Sequence, residues 1–174
     1  TIYCDDIDAP AQNFCDNFIY GKYDDKNKIQ EFIKVVDIIT YEFENIPYET
    51  LNDINLSKPV LPKPSINKLI QHRISEKDFI NKLNIRTTRY ASIESKSDIE
   101  PLGDFLPGIL KTTTLGYDGK GQYPIKKIGE IESLNLDFSK GYILEKLVKL
   151  KKEISVIITR FGNNSYEIYE PIEN

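Results

Sequence analysis

Methionine is missing from all 174 residues, position 1 included. The opening residues Thr1, Ile2, Tyr3 and Cys4 already have strand character, and a strand-like stretch over 166–172 stops at Asn174. The chain is therefore expected to be an internal piece of a longer protein. Cysteine is scarce as well. Cys4 and Cys15 are too few and too far apart for a disulfide framework or a metal knuckle, and they are expected to be two buried thiols. The single histidine, His72, has no Cys or His partner and is expected on the surface or as a helix cap. No apolar run approaches the ~20 residues that cross a bilayer, and no signal-peptide pattern opens the chain. Without a secretory route the glycosylation triplets at Asn55 and Asn163 carry no meaning, and the expected location is cytoplasmic. A basic excess is absent too: the formal net charge is −4, which argues against a nucleic-acid surface.

What is present describes a globular protein, with 40% hydrophobic and 29% charged residues in a length that suits one ordinary domain or two small ones. From Asp25 onward, Ile29, Phe32, Ile33 and Val36 share one helical face. A β-rich run over 37–43 follows, then a short helix opened by Pro47, then a strand around Val60 that leads into Pro62 and Pro64. This alternation predicts an α/β unit with a parallel sheet. Two helices come next, one with Ile66, Leu69 and Ile70 inward. The other opens at the capping-box-like Ser75 to Asp78 and turns Phe79, Ile80 and Leu83 inward. Strands are expected over 87–91, 109–111, 123–126 and 142–147, with helices over 98–105 and 129–134 between them. That is a small α+β unit. Runs over 153–160 and 165–169 flank Gly162, Asn163 and Asn164, a hairpin signal.

The chemistry concentrates between Pro107 and Glu153. An apolar run delivers Lys111 to a strand end, and Gly116, Gly119 and Gly121 follow within one loop. Glycines free backbone N–H groups to approach an anion, and Lys111 and Lys120 add positive charge around it. The loop matches neither the P-loop pattern nor a dinucleotide fingerprint, so by itself it could simply turn a corner. Lys111 could likewise be a lysine that snorkels to water from a strand end. Glu145 interrupts an apolar strand, and either accepts from a ribose hydroxyl or an adenine amino group, or faces water by ordinary alternation. Glu153 carries the same two readings. Arg73 is either a surface residue or a second cation for phosphates. Glu42 and Glu44 follow a buried strand at its C-terminal end, the edge where open α/β sheets bind ligands.

Several segments in order resemble one family. They are the run from Asp37 through Thr40, Tyr41, Glu42, Phe43, Glu44 and Asn45 to Pro47; Arg73 with Glu76, Lys77 and Phe79; and Leu110, Lys111 and Thr112 leading to Leu115 through Gln122. Ile143 to Glu145 and Glu153 to Val156 complete the set. Together these resemble N5-carboxyaminoimidazole ribonucleotide synthetase, an ATP-grasp carboxylase of purine synthesis, over nearly the whole chain. The resemblance implies a mixed α/β and α+β fold. Its parts would be a partial N-terminal Rossmann-like pre-ATP-grasp domain over 1–62, connecting helices over 63–84, an ATP-grasp lid subdomain over 85–150 and the beginning of the C-terminal subdomain over 151–174. It implies ATP and Mg²⁺, with metal ligands expected beyond Asn174, and a reaction that joins bicarbonate to 5-aminoimidazole ribonucleotide through carboxyphosphate.

Carried over by position, the ATP contacts become Arg73, Lys111, Gly116, Tyr117, Asp118, Gly119, Lys120, Gly121, Gln122, Glu145, Lys146, Leu147, Val148 and Glu153. Tyr117, Asp118 and Lys120 would stand nearest the chemistry, and Glu42 and Glu44 near the ribonucleotide. A homodimer is implied for the complete protein. His72 stands where relatives commonly have Asp. The glycine-rich turn that helps hold the ribonucleotide would precede Thr1, so residues 1–174 alone are expected to be inactive. The rival expectations are another purine-pathway ATP-grasp ligase, of the formate-dependent glycinamide ribonucleotide transformylase type, and a non-catalytic nucleotide-binding module.

Overall fold

The computed structural model describes residues 1–115, 121–162 and 165–174. The first part alternates as the sequence predicts. Strand β1 (Ile2–Cys4) pairs in parallel with β2 (Phe18–Tyr20), and β3 (Ile39–Thr40) in parallel with β4 (Val60–Leu61). Parallel neighbours require crossovers: a 3₁₀ helix (Pro10–Phe14) lies between β1 and β2, and an α-helix lies between β3 and β4. Helix α1 (Lys26–Lys34) starts where the Asp25 carboxylate accepts from the backbone N–H groups of Asn27 and Lys28. Helix α2 (Tyr48–Asn55) follows Pro47 at its N-cap. Ile29, Phe32 and Ile33 of α1 pack with Leu51 and Ile54 of α2 and with Ile19, Ile39 and Val60 of the strands. The expected strand over 37–43 is only two residues long. Its partner β4 runs straight into Pro62, which has no N–H to continue a ladder.

Two helices lead out of this unit. Helix α3 (Pro64–Ile70) buries Asn67 completely, while Ile66, expected inward, is 47% exposed. The reason is a clasp: Asn67 Nδ2 donates to the Ile46 carbonyl (2.9 Å), and Gln71 Nε2 donates to the carbonyls of Glu44 (2.7 Å) and Ile46 (2.6 Å). Helix α4 (Arg73–Lys82) starts one turn before the expected box. His72 is its N-cap, with Nδ1 accepting from the Ser75 backbone N–H, so Ser75 sits inside the helix. Asn84 at φ 59° closes it in the left-handed region. Phe79 and Leu83 are exposed rather than inward.

The third part is a four-stranded antiparallel sheet. In the order β5–β8–β6–β7 it contains β5 (Tyr90–Ile93), β6 (Gly108–Thr112), β7 (Gln122–Ile125) and β8 (Tyr142–Lys146). A 3₁₀ helix (Glu100–Phe105) and α5 (Ile128–Ser133) cover one face. On that face Ile93, Leu110, Tyr142 and Leu144 pack with Ile99, Leu102, Ile125 and Ile131. Gly108 lies against the central strand, where an added Cβ would stand 2.7 Å from the backbone oxygens of both Glu145 and Phe105. Neither oxygen can swing aside, so Gly108→Ala is expected to lower stability by about 2 kcal/mol, read as a lower urea midpoint at unchanged slope.

Residues 153–174 form a long hairpin. Strand β9 (Ile154–Ser155) pairs with β12 (Ile172–Glu173), and β10 (Ile158–Arg160) with β11 (Tyr166–Ile168), both antiparallel. Every residue described there is exposed. The expected hairpin is present, and Asn163 and Asn164 lie outside the described residues. Cys4 and Cys15 are free and half-buried rather than fully buried. Among the described residues no helix is long and apolar enough to cross a membrane.

Candidate functional site

The sheet face opposite the core carries the charges. Alternation along β8 sends Tyr142 and Leu144 into the core and Ile143 and Glu145 to the other side. Glu145 pairs across the ladder with Ile109 of β6, two residues from Lys111, so Lys111 and Glu145 are diagonal neighbours on one face. Tyr90 of β5 stands opposite Glu145 on the other side. Over this face lies α4, which contributes Lys77.

Glu145 is the hub. Its residue is only 8% exposed, so the alternative that it faces water is overturned. Lys111 Nζ donates to Oε2 at 2.7 Å, and Lys77 Nζ lies 3.0 Å from Oε1. Burial pushes the Glu145 carboxyl up. The hydrogen bonds and charges of Lys111 and Lys77 outweigh it and leave the group below the usual carboxylate range. Lys111 therefore does not snorkel into water: it is held at its strand end by a buried counter-charge. Lys77 escaped the site reading of the sequence. The signal available for it was its place one helical turn after Arg73.

Arg73 ties α4 to the end of β6. Its Nη1 donates to the Thr112 carbonyl (2.7 Å) and its backbone N–H to that of Thr113 (2.9 Å). Beside it opens a cleft of about 170 Å³ lined by Glu44, Ile70, Gln71, Arg73, Glu76 and Leu115. Gln71, at the C-terminal end of α3, holds the Glu44 backbone at this cleft, and Glu42 and Glu44 are both solvent-exposed residues. Burial raises the Glu76 carboxyl above its ordinary range. The nearby Lys77 and Arg73 oppose that rise, and Glu44 and Glu145 add to it.

The other expected residues distribute as follows. Gln122 pairs with Lys111 across β6 and β7, and Gly121 adopts φ 69°. The Gly121 carbonyl accepts from the Thr112 N–H. The C-terminal end of the glycine-rich loop is thus fixed beside Lys111. Gly116, Tyr117, Asp118, Gly119 and Lys120 lie outside the described residues. Lys146 turns away from Glu145, its Nζ donating to the Asp104 carbonyl at 2.8 Å. Leu147 and Val148 are half-exposed, with the Leu147 N–H donating to the Pro107 carbonyl. Glu153 is exposed at the root of the hairpin. Among the described residues no group of three or more His, Cys, Asp or Glu side chains is placed to hold a metal.

A parallel α/β unit, joined by two helices to an antiparallel sheet whose outer face pairs Lys111 and Lys77 with Glu145, defines the class as a mixed α/β protein. The ATP-grasp domain model matches residues 78–174, and the ribonucleotide synthetase preATP-grasp domain model matches residues 1–71. The chain belongs to the ATP-grasp family. It is 34% identical over 171 residues to N5-carboxyaminoimidazole ribonucleotide synthase of Brucella melitensis, covering 95% of this chain and 47% of that protein. With the Bacillus subtilis protein of the same name it shares 35% identity over 171 residues, 96% of this chain and 45% of the other. The structure of the ADP complex of purK, an N5-carboxyaminoimidazole ribonucleotide synthetase, superposes with a TM-score of 0.89 at 31% identity. That match covers 99% of this chain and 46% of the solved one. The chain spans about half the length of these relatives.

Proposed function

We propose that this chain carries the lid-side half of an ATP site in an enzyme that joins bicarbonate to 5-aminoimidazole ribonucleotide. Likeness to proteins named for that reaction over 95% or more of the chain carries the reading. The geometry supports it, because Lys111 and Arg73 bring two cations to the strand end from which the glycine-rich loop departs.

In this reading Lys111 and Arg73 offset the charge of the nucleotide phosphates, with Gly116, Gly119, Gly121 and Gln122 around them. Residues 145–148 contact the nucleoside, and Glu153 accepts from its ribose hydroxyl or adenine amino group. A bicarbonate oxygen attacks the γ-phosphorus and the bond to ADP breaks, giving carboxyphosphate. The exocyclic amine of the ribonucleotide then attacks its carbon, losing a proton as inorganic phosphate leaves. Tyr117, Asp118 and Lys120 stand nearest the transferring group, and the loop excludes water from an anhydride that would otherwise hydrolyse. Glu44, held at the Arg73 cleft, faces the ribonucleotide, with Glu42 further out. Among the described residues no group of three or more His, Cys, Asp or Glu side chains would hold Mg²⁺. Divisions near residues 62, 84 and 150, a cytoplasmic location and a homodimer belong to the same proposal.

Phosphate release by the complete reading frame, assayed with ATP, tests it. Turnover is expected only when both aminoimidazole ribonucleotide and bicarbonate are present, and residues 1–174 alone should show none. Dependence on formate would transfer the chain to the transformylase type. Nucleotide binding without turnover would leave a non-catalytic module.

A further inference from the structure

The proposed reaction uses Lys111 and leaves Lys77 unassigned, although Lys77 is the more enclosed of the two ammoniums on Glu145. Its side chain is 16% exposed, against 20% for Lys111. It reaches Oε1 from α4 while Lys111 holds Oε2 from β6, so the carboxylate is gripped from two elements at once. The Tyr90 ring lies 5.7 Å from its Nζ, and Tyr90 OH hydrogen-bonds Asp78 on the same helix, which fixes the approach. Among the described residues these two lysines are the ionic partners of Glu145.

One carboxylate between two ammoniums leaves one positive charge in excess. Without Lys77 the cluster becomes a neutral Lys111–Glu145 pair, and an arriving phosphate must compete with a counter-charge committed wholly to Lys111. We propose that Lys77 is a positioning residue for nucleotide phosphate: by holding Glu145 from α4, it leaves the Lys111 ammonium free to turn to the anion. This rests on the nucleotide reading above. It predicts an effect that follows phosphate rather than nucleoside, and that passes through Glu145.

The test uses the complete reading frame, with ADP and adenosine titrated separately. Lys77→Met keeps the stem packed over Tyr90 and removes only the charge. It is expected to weaken ADP about tenfold, the scale of one charge-assisted contact, and to leave adenosine within about twofold. Lys77→Arg should restore most of the ADP affinity. In a Glu145→Gln background the Lys77→Met effect should vanish, because no carboxylate remains to be held. Equal weakening of both ligands, unchanged ADP affinity, or an undiminished effect in the Glu145→Gln background would each overturn the inference while leaving nucleotide binding intact. Failure of the unaltered protein to bind ADP would overturn the nucleotide reading itself.

Discussion

Glu145→Ala is expected to lower stability by about 3 kcal/mol, because breaking a buried ion pair from one side strands the remaining charge. Here two ammoniums are stranded, each with at least four-fifths of its side chain out of water. Their residual solvent contact keeps the loss at the lower end of the range for fully buried pairs. The effect also has a pH signature. The Glu145 carboxyl titrates below its ordinary range in the folded chain. Its contribution is therefore fully present above the usual carboxylate pKa and disappears as pH falls toward the depressed folded value. Urea unfolding of Glu145→Gln against the parent chain should show a gap at neutral pH that closes on acidification. A gap that persists at low pH would mean that packing rather than charge is lost.

Lys111→Met should have the reverse profile. Glu145 keeps Lys77 as a partner, so stability falls far less than in Glu145→Ala. Catalysis should suffer instead. Loss of a charge that offsets the nucleotide phosphates in the transition state costs on the order of a hundredfold, and kcat/KM for ATP is expected to fall by about that factor. Stability and turnover are thus expected to separate between two residues 2.7 Å apart. A large stability loss with unaltered kcat/KM in Lys111→Met would place Lys111 in the scaffold and not in the site.

How far these roles can be seen in the sequence depends on what a pattern records. The apolar run into Lys111 and the carboxylate within Tyr142 to Leu147 stand out because each breaks a hydrophobic strand, and the structure places both on one sheet face. Helix α1 is equally plain, since its apolar positions meet an apolar sheet and repeat at helical spacing. Helix α4 reads wrongly for the complementary reason. Periodicity assumes that the apolar side turns inward, but this helix lies over a sheet face whose central side chain is a carboxylate. Arg73 and Lys77, one turn apart, face the protein, while Phe79 and Leu83 face solvent. Similarly Asn67 is buried because Ile46 offers it a carbonyl 21 residues away in sequence, a partner that no local pattern announces. The cap of α4 is the His72 ring nitrogen, one of the two roles expected for this histidine, and not the expected Ser75 hydroxyl.

On nucleotide binding Lys111 is expected to exchange its carboxylate for a phosphate. The position of its ammonium in a crystal structure of the complete reading frame with ADP tests this most directly. Lys111 Nζ is expected within about 3 Å of a phosphate oxygen, with the contact between Lys77 and Glu145 preserved. Phosphates bound elsewhere, or Lys111 still paired with Glu145 alone, would contradict it.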